Sequence, residues 1–205
     1  RLAKIDEKDP EIPNQKAMDK LLSSLKGTEY KVTSVEKKER SRKPQAPFIT
    51  SRLQQDASRK LGFSAKKTMA LAQHLYEGVG LGDLGTHGLI TYMRTDSVRI
   101  TPEAITELRQ YILNTYGESY LPAEPNVYKT KKSAQDAHEA IRPTSLEFSP
   151  DKIEPFVERD EFRLYQLIWN RFVACQMNPA IYDQTSMSLE TKSSDSRNIL
   201  LKLTG

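Results

Sequence analysis

The residues with the clearest chemical potential lie in one short stretch, Gly88-Leu-Ile-Thr-Tyr-Met-Arg-Thr-Asp-Ser97. In extended backbone successive side chains point to opposite sides, so Tyr92, Arg94 and Asp96 share one face while Thr91, Met93 and Thr95 share the other. A phenol and a guanidinium are thereby set side by side. Free tyrosine, with a pKa of about 10, is protonated near neutrality, and its oxygen attacks phosphorus only if the proton is at least partly lost in the transition state. A neighbouring cation favours the phenolate, and a planar guanidinium grips phosphoryl oxygens in a bidentate fashion. On residue types alone the plainer arrangement, a half-buried strand aromatic beside a surface charge, is the more frequent one for Tyr-x-Arg.

His138 stands four residues before Arg142 on an expected short helix. Alone, it reads first as a polar surface neighbour. Arg52 near one expected helix start, and Lys66 and Lys67 at the next, would add side-chain charge where exposed N–H groups already favour anions, as nucleic-acid phosphates require. Ordinary solvated side chains account for each of these equally well. Gln54 and Gln55 either touch nucleic acid or pack along the same helix, and Arg142, just before Pro143, either meets phosphate or holds a loop. Gly80-Leu-Gly-Asp-Leu-Gly85 fits the dinucleotide-binding pattern but follows an expected helix and precedes an expected strand, the reverse of the required order. No phosphate-binding GxxxxGK[ST] and no Asp-x-Asp pair occurs.

The elements that must position these residues follow from periodicity and caps. Asn14 caps a helix Gln15 to Lys26, with Met18, Leu21, Leu22 and Leu25 on one stripe, and Gly27 ends it. Glu29 to Glu36 reads as a strand; the tract Lys37 to Pro47, with two prolines and five basic residues, reads as an extended crossover. Thr50 or Ser51 caps a helix through Leu53, Ala57 and Leu61 that stops at Gly62, and Ser64 caps the next, a helix-turn-helix in outline. After a glycine-rich loop, Gly78 to Gly88, the β-branched residues of Leu89 to Thr95 predict a strand. Thr101-Pro102-Glu103 starts a helix ending at Gly117, Ser133 and Asp136 start one over Ala134 to Ile141, and Pro143 closes it. A helix from about Asp160 to Ala174, rich in large side chains, is the expected core organiser, and strands return from Ala180 onward with a polar turn at Ser193 to Arg197.

Composition sets wide bounds. A chain of 205 residues, 37% hydrophobic and 28% charged, suits one or two globular domains. No apolar run approaches the roughly 18 residues that span a bilayer, and no leader opens the sequence, so the default expectation is a cytoplasmic protein without a membrane partner. The excess of 31 Lys and Arg over 27 Asp and Glu, +4, permits a polyanionic partner without demanding one. Cys175, the single cysteine, sits among apolar residues as a buried structural thiol would. The start at Arg1 and the stop at Gly205 within an apparent strand lead us to expect a fragment, with absent motifs lying outside it.

Taken together, three segments carry a specific resemblance. Gly88 to Ser97 resembles, almost residue for residue, the active-site tyrosine segment of the bacterial type IA DNA topoisomerases. Pro47-Phe-Ile-Thr-Ser-Arg-Leu-Gln-Gln-Asp-Ala-Ser58 upstream and Ala137-His-Glu-Ala-Ile-Arg-Pro-Thr144 downstream agree in order and approximate spacing. Looser agreement runs through Lys67 to Glu77 and Leu164 to Met177, so most of the chain is covered and the ends match only in character.

The resemblance implies an α+β fold: a mainly helical, winged-helix-like domain over 47–175 bearing the tyrosine, and β-rich arch segments over 1–46 and 176–205 that enclose DNA in the whole enzyme. It implies that Tyr92 is the nucleophile forming a 5′-phosphotyrosyl link, that Arg94 is its electrostatic partner and that His138 is a third catalytic group near the scissile phosphate. Arg52, Gln54, Lys66, Lys67 and Arg142 become DNA contacts. The full-length enzyme would use Mg²⁺ held by acidic residues of an N-terminal metal-binding domain outside this chain, would act without ATP on single-stranded segments of underwound duplex in the bacterial nucleoid, and would relax negative supercoils; the piece alone is expected not to turn over. Two other classes compete. A tyrosine recombinase or replication-initiation nuclease calls for dispersed Arg and His or a paired-His motif, a spacing that His74, His87 and His138 lack. A non-enzymatic helix-turn-helix binder would leave Tyr92 without a chemical role.

Overall fold

A computed structural model of the chain describes residues 1–129 and 139–205. In chain order the elements are β1 (Leu2–Ile5), α1 (Gln15–Ser24), β2 (Lys31–Arg42), α2 (Thr50–Leu61), α3 (Ala65–Glu77), β3 (Val79–Gly80), β4 (Thr86–His87), α4 (Pro102–Tyr116), α5 (Pro150–Ile153), α6 (Arg159–Cys175), β5 (Ala180–Lys192) and β6 (Asn198–Thr204). They divide into two compact units, Arg1–Arg42 with Ala180–Gly205, and Lys43–Pro179. The fold is therefore α+β, as expected. No helix among the described residues is long and apolar enough to cross a membrane.

The first unit is a four-stranded antiparallel sheet in the order β1-β6-β5-β2. Strand β2 pairs along β5 from Lys31↔Glu190 to Arg42↔Ala180, with a register shift between Val32 and Ser34. Pairing of β5 with β6 sets Met187 opposite Leu203 and Leu189 opposite Leu201, two apolar pairs on one face. Little of this is buried: Leu21 and Ile199 are enclosed, whereas Val32, Val35, Ile181 and Leu203 are exposed. Asn14 caps α1 as its sequence predicts, its side chain accepting the Ala17 N–H at 3.0 Å. Of the expected apolar stripe only Leu21 is buried, with Met18 and Leu22 exposed.

The second unit packs helices around a dense core that includes Phe48, Leu53, Leu75, Leu108, Ile112, Leu164, Ile168 and Phe172. The expected stop of α2 and the expected starts of α3 and α4 are in place. Gly62 ends α2 at φ 73°, a left-handed conformation that glycine adopts without steric cost. Ser64 and Thr101 accept the Lys67 and Ala104 N–H groups and so start α3 and α4. Helix α6 begins with a capping box in which Glu158 and Glu161 satisfy each other's backbone N–H groups. Arg171 on α6 bonds Asp56 of α2 at 2.6 Å and the Ala46 carbonyl at 3.2 Å, with its guanidinium 4.3 Å from the Phe48 ring centroid. Cys175 is fully buried, and that burial pushes its thiol up to about 12, as suits an unreactive structural side chain.

Four expectations are corrected. Leu89 to Thr95 is not a strand: within it only Ile90 forms a bridge, to Pro143, and the neighbouring backbone bonds to scattered single residues instead of a ladder. The tract from Lys37 is not all crossover, because β2 runs to Arg42; charged residues are tolerated there since the strand is an exposed sheet edge. Thr50 does not cap α2 with its side chain; Ile49 occupies that position without a side-chain cap, and the Thr50 hydroxyl bonds elsewhere. The helix expected over Ala134 to Ile141 falls largely outside the described residues, but its end is not helical, since the Ala140 N–H donates to the Arg99 carbonyl and Ile141 bridges to Phe48. The glycine-rich stretch contains a small hairpin, β3 with β4.

Candidate functional site

Residues 88–97 are held by individual anchors. On one side the Leu89 N–H donates to the Leu75 carbonyl at the end of α3, 2.7 Å away. Gly88 is required there because a Cβ at this position would lie 2.6 Å from the Tyr76 carbonyl oxygen. On the other side the Thr91 N–H donates to the Arg142 carbonyl at 2.9 Å, and the Thr91 hydroxyl donates to the Ala140 carbonyl at 2.7 Å while accepting the Arg142 N–H. Beyond the tyrosine, the Thr50 hydroxyl donates to the Met93 carbonyl at 2.7 Å and accepts the Thr95 N–H at 2.9 Å, and the Thr50 N–H donates to the Thr95 carbonyl. The bonds made by Thr50 and Thr91 each join residues more than forty positions apart. Pairing them was not legible beforehand, although threonine at positions 50 and 91, flanking buried apolar residues, was the available signal.

The outcome is the alternation that the residue types predict, obtained without a strand. Leu89, Ile90 and Met93 are buried at 0–1% exposure, Thr95 and Ser97 are also enclosed, and Tyr92, Arg94 and Asp96 are exposed. The Tyr92 ring stands 47% exposed, with the Tyr76 ring edge-to-face against it, centroids 5.3 Å apart and planes at 63°. A phenol so placed is open to solvent while the segment that bears it rests on packed core.

The other expected site residues are distributed differently. Arg52 is exposed and its Nη1 donates to Gln55 at 3.0 Å, and Gln54, one turn into α2, is half-buried. Lys66 is exposed, whereas Lys67 pairs with Asp160 and lies 4.7 Å over the Phe63 ring. Arg142 is mostly enclosed: it bonds Glu139 through Nε at 3.1 Å and Nη2 at 2.9 Å, and donates from Nη1 to the Pro143 carbonyl at 2.9 Å. That geometry makes Glu139 the residue that orients Arg142, and Arg142 a brace for residues 139–143, which in turn support Thr91. His138 lies outside the described residues. His74 bonds Glu161 at 2.5 Å and thereby joins α3 to the capped start of α6. Among the described residues no three His, Cys, Asp or Glu side chains gather as metal ligands would.

Comparison with known proteins matches this architecture to one family. Residues 3–202 match the family model for DNA topoisomerase. DNA topoisomerase 1 of Rickettsia felis is 50% identical over 195 residues, 95% of this chain and 25% of that protein. The protein of the same name from Xylella fastidiosa is 56% identical over 159 residues, 77% of this chain and 20% of that protein. The solved full-length topoisomerase I of Thermotoga maritima superposes with a TM-score of 0.71 at 36% identity, over 98% of this chain and 31% of that structure. The chain belongs to the bacterial type IA DNA topoisomerase family and spans about a quarter of the length of the relatives it matches.

Proposed function

We propose that this chain supplies the nucleophile-bearing part of an enzyme that cuts one DNA strand, passes another through the gap and reseals it, relaxing negative supercoils. The Tyr92 phenol oxygen forms a bond to phosphorus and the bond from phosphorus to the 3′ oxygen breaks, leaving a 5′-phosphotyrosyl link and a 3′ hydroxyl that takes up the proton. Resealing is the same exchange in reverse. Since one phosphodiester is traded for another, no nucleotide need be spent. Arg94 stabilises charge on the phosphoryl oxygens, and His138 hydrogen-bonds the phosphate or moves a proton beside the nucleophile. Arg52, Gln54, Lys66 and Lys67 face the strand; Lys67 then exchanges Asp160 for phosphate. Arg142 contributes by bracing the anchor of Thr91. Mg²⁺ belongs to a separate N-terminal domain of the intact protein.

The observation that carries this reading is the exposed Tyr92 ring between half-buried Thr91 and buried Met93, alternating with exposed Arg94. It is tested with the intact protein containing this chain, or with this chain combined with the separately made metal-binding domain, in the presence of Mg²⁺ and DNA. A protein–DNA adduct that survives denaturation is expected and should vanish with Tyr92→Phe. An adduct that persists in that variant rejects the assignment.

A further inference from the structure

Tyr76, which no motif singles out, is placed to govern the nucleophile twice over. It is the penultimate residue of α3, a helix tied to α6 by the His74–Glu161 and Lys67–Asp160 pairs and seated on buried Ala72 and Leu75. Its carbonyl lies where a side chain at residue 88 would have to be, so its backbone limits how the chain approaches Tyr92. Its ring, 39% exposed, meets the Tyr92 ring edge-to-face, the geometry that aromatic quadrupoles favour. The anchors at Thr50 and Thr91 fix backbone only. A tyrosine ring on fixed backbone still rotates about its first side-chain torsion, and the Tyr76 ring closes off part of that arc.

We propose that Tyr76 is a positioning residue: its ring holds the Tyr92 phenol in the orientation from which it attacks phosphorus. This rests on Tyr92 being the nucleophile. The ring acts by packing and not through its hydroxyl, so Tyr76→Phe retains the effect and Tyr76→Leu, which keeps bulk and helix propensity, loses it. A contribution of this kind belongs to the rate of strand cleavage and not to DNA affinity.

The test uses the intact protein with Mg²⁺ and a single-stranded oligonucleotide, measuring single-turnover adduct formation and, separately, equilibrium binding. From the usual worth of an aromatic pair, Tyr76→Leu should slow cleavage by roughly three- to ten-fold. Binding should change by less than about two-fold, and Tyr76→Phe should stay within about two-fold of the parent in both measurements. Cleavage by Tyr76→Leu at the parent rate overturns the inference, as does equal impairment of Tyr76→Phe, which would point to the hydroxyl. A parallel loss of affinity overturns it in favour of Tyr76 stacking on a DNA base. Tyr92→Phe runs alongside: if that variant still forms the adduct, or the parent forms none, the reading of Tyr92 fails and takes this inference with it; if it forms none while the parent does, a parent-like Tyr76→Leu removes Tyr76 alone.

Discussion

The two units of this chain solve different problems. The sheet unit encloses few side chains, leaves valines, leucines and an isoleucine on its surface, and carries a twelve-residue edge strand that is exposed throughout. In the helical unit, large residues from the helices and from the segments between them are removed from water almost completely, and polar side chains close the remaining gaps one by one. A chemical group needs rigid support within a fraction of an ångström, which close-packed interiors provide and half-wet sheets do not. The candidate nucleophile sits on the former.

The contrast can be broken or sharpened by substitution, with Trp169, the single tryptophan and a buried member of the helical core, as the fluorescent reporter of that unit. Gly88→Ala should act most strongly. The added methyl meets backbone, which has no side-chain rotation to relieve it, and a loss of about 3 kcal/mol in urea unfolding is expected. An unchanged midpoint would mean that residues 88–95 yield easily and that the site is softer than the burial implies. Thr50→Val comes next: shape is kept, but the Met93 carbonyl and the Thr95 N–H each lose their hydroxyl partner, for about 2 kcal/mol. Val35→Lys on the edge strand should shift the Trp169 transition by no more than about 0.5 kcal/mol. A larger shift would show that the sheet unit stabilises its neighbour.

How far the sequence exposes all this depends on the range of the forces involved. Helices whose caps and stops are local, Ser64 to Gly78 or Thr101 to Gly117, are readable because the signal and the structure lie within one turn of each other. Tyr92, Arg94 and their buried neighbours are readable as a pattern, since alternation reports two environments whatever bonds the backbone makes. What fails is the inference from alternation to strand. The partners of Thr91 and Thr95 are Ala140, Arg142 and Thr50, more than forty positions away in each case. Likewise Arg142 looks like a free cation until Glu139 and the Pro143 carbonyl are seen around it. The reach of β2 into the charged tract is hidden for another reason: an edge strand in water imposes no hydrophobic alternation, so composition there resembles a linker.

Because the tyrosine segment hangs from separate hydroxyl and amide attachments in place of a ladder, it has no zipper to run. In a sheet, loss of one rung weakens the next; here a missing attachment leaves the others in force. Evolution can therefore retune the pitch or height of the phenol by altering a single threonine, much as a suspended deck is levelled one cable at a time.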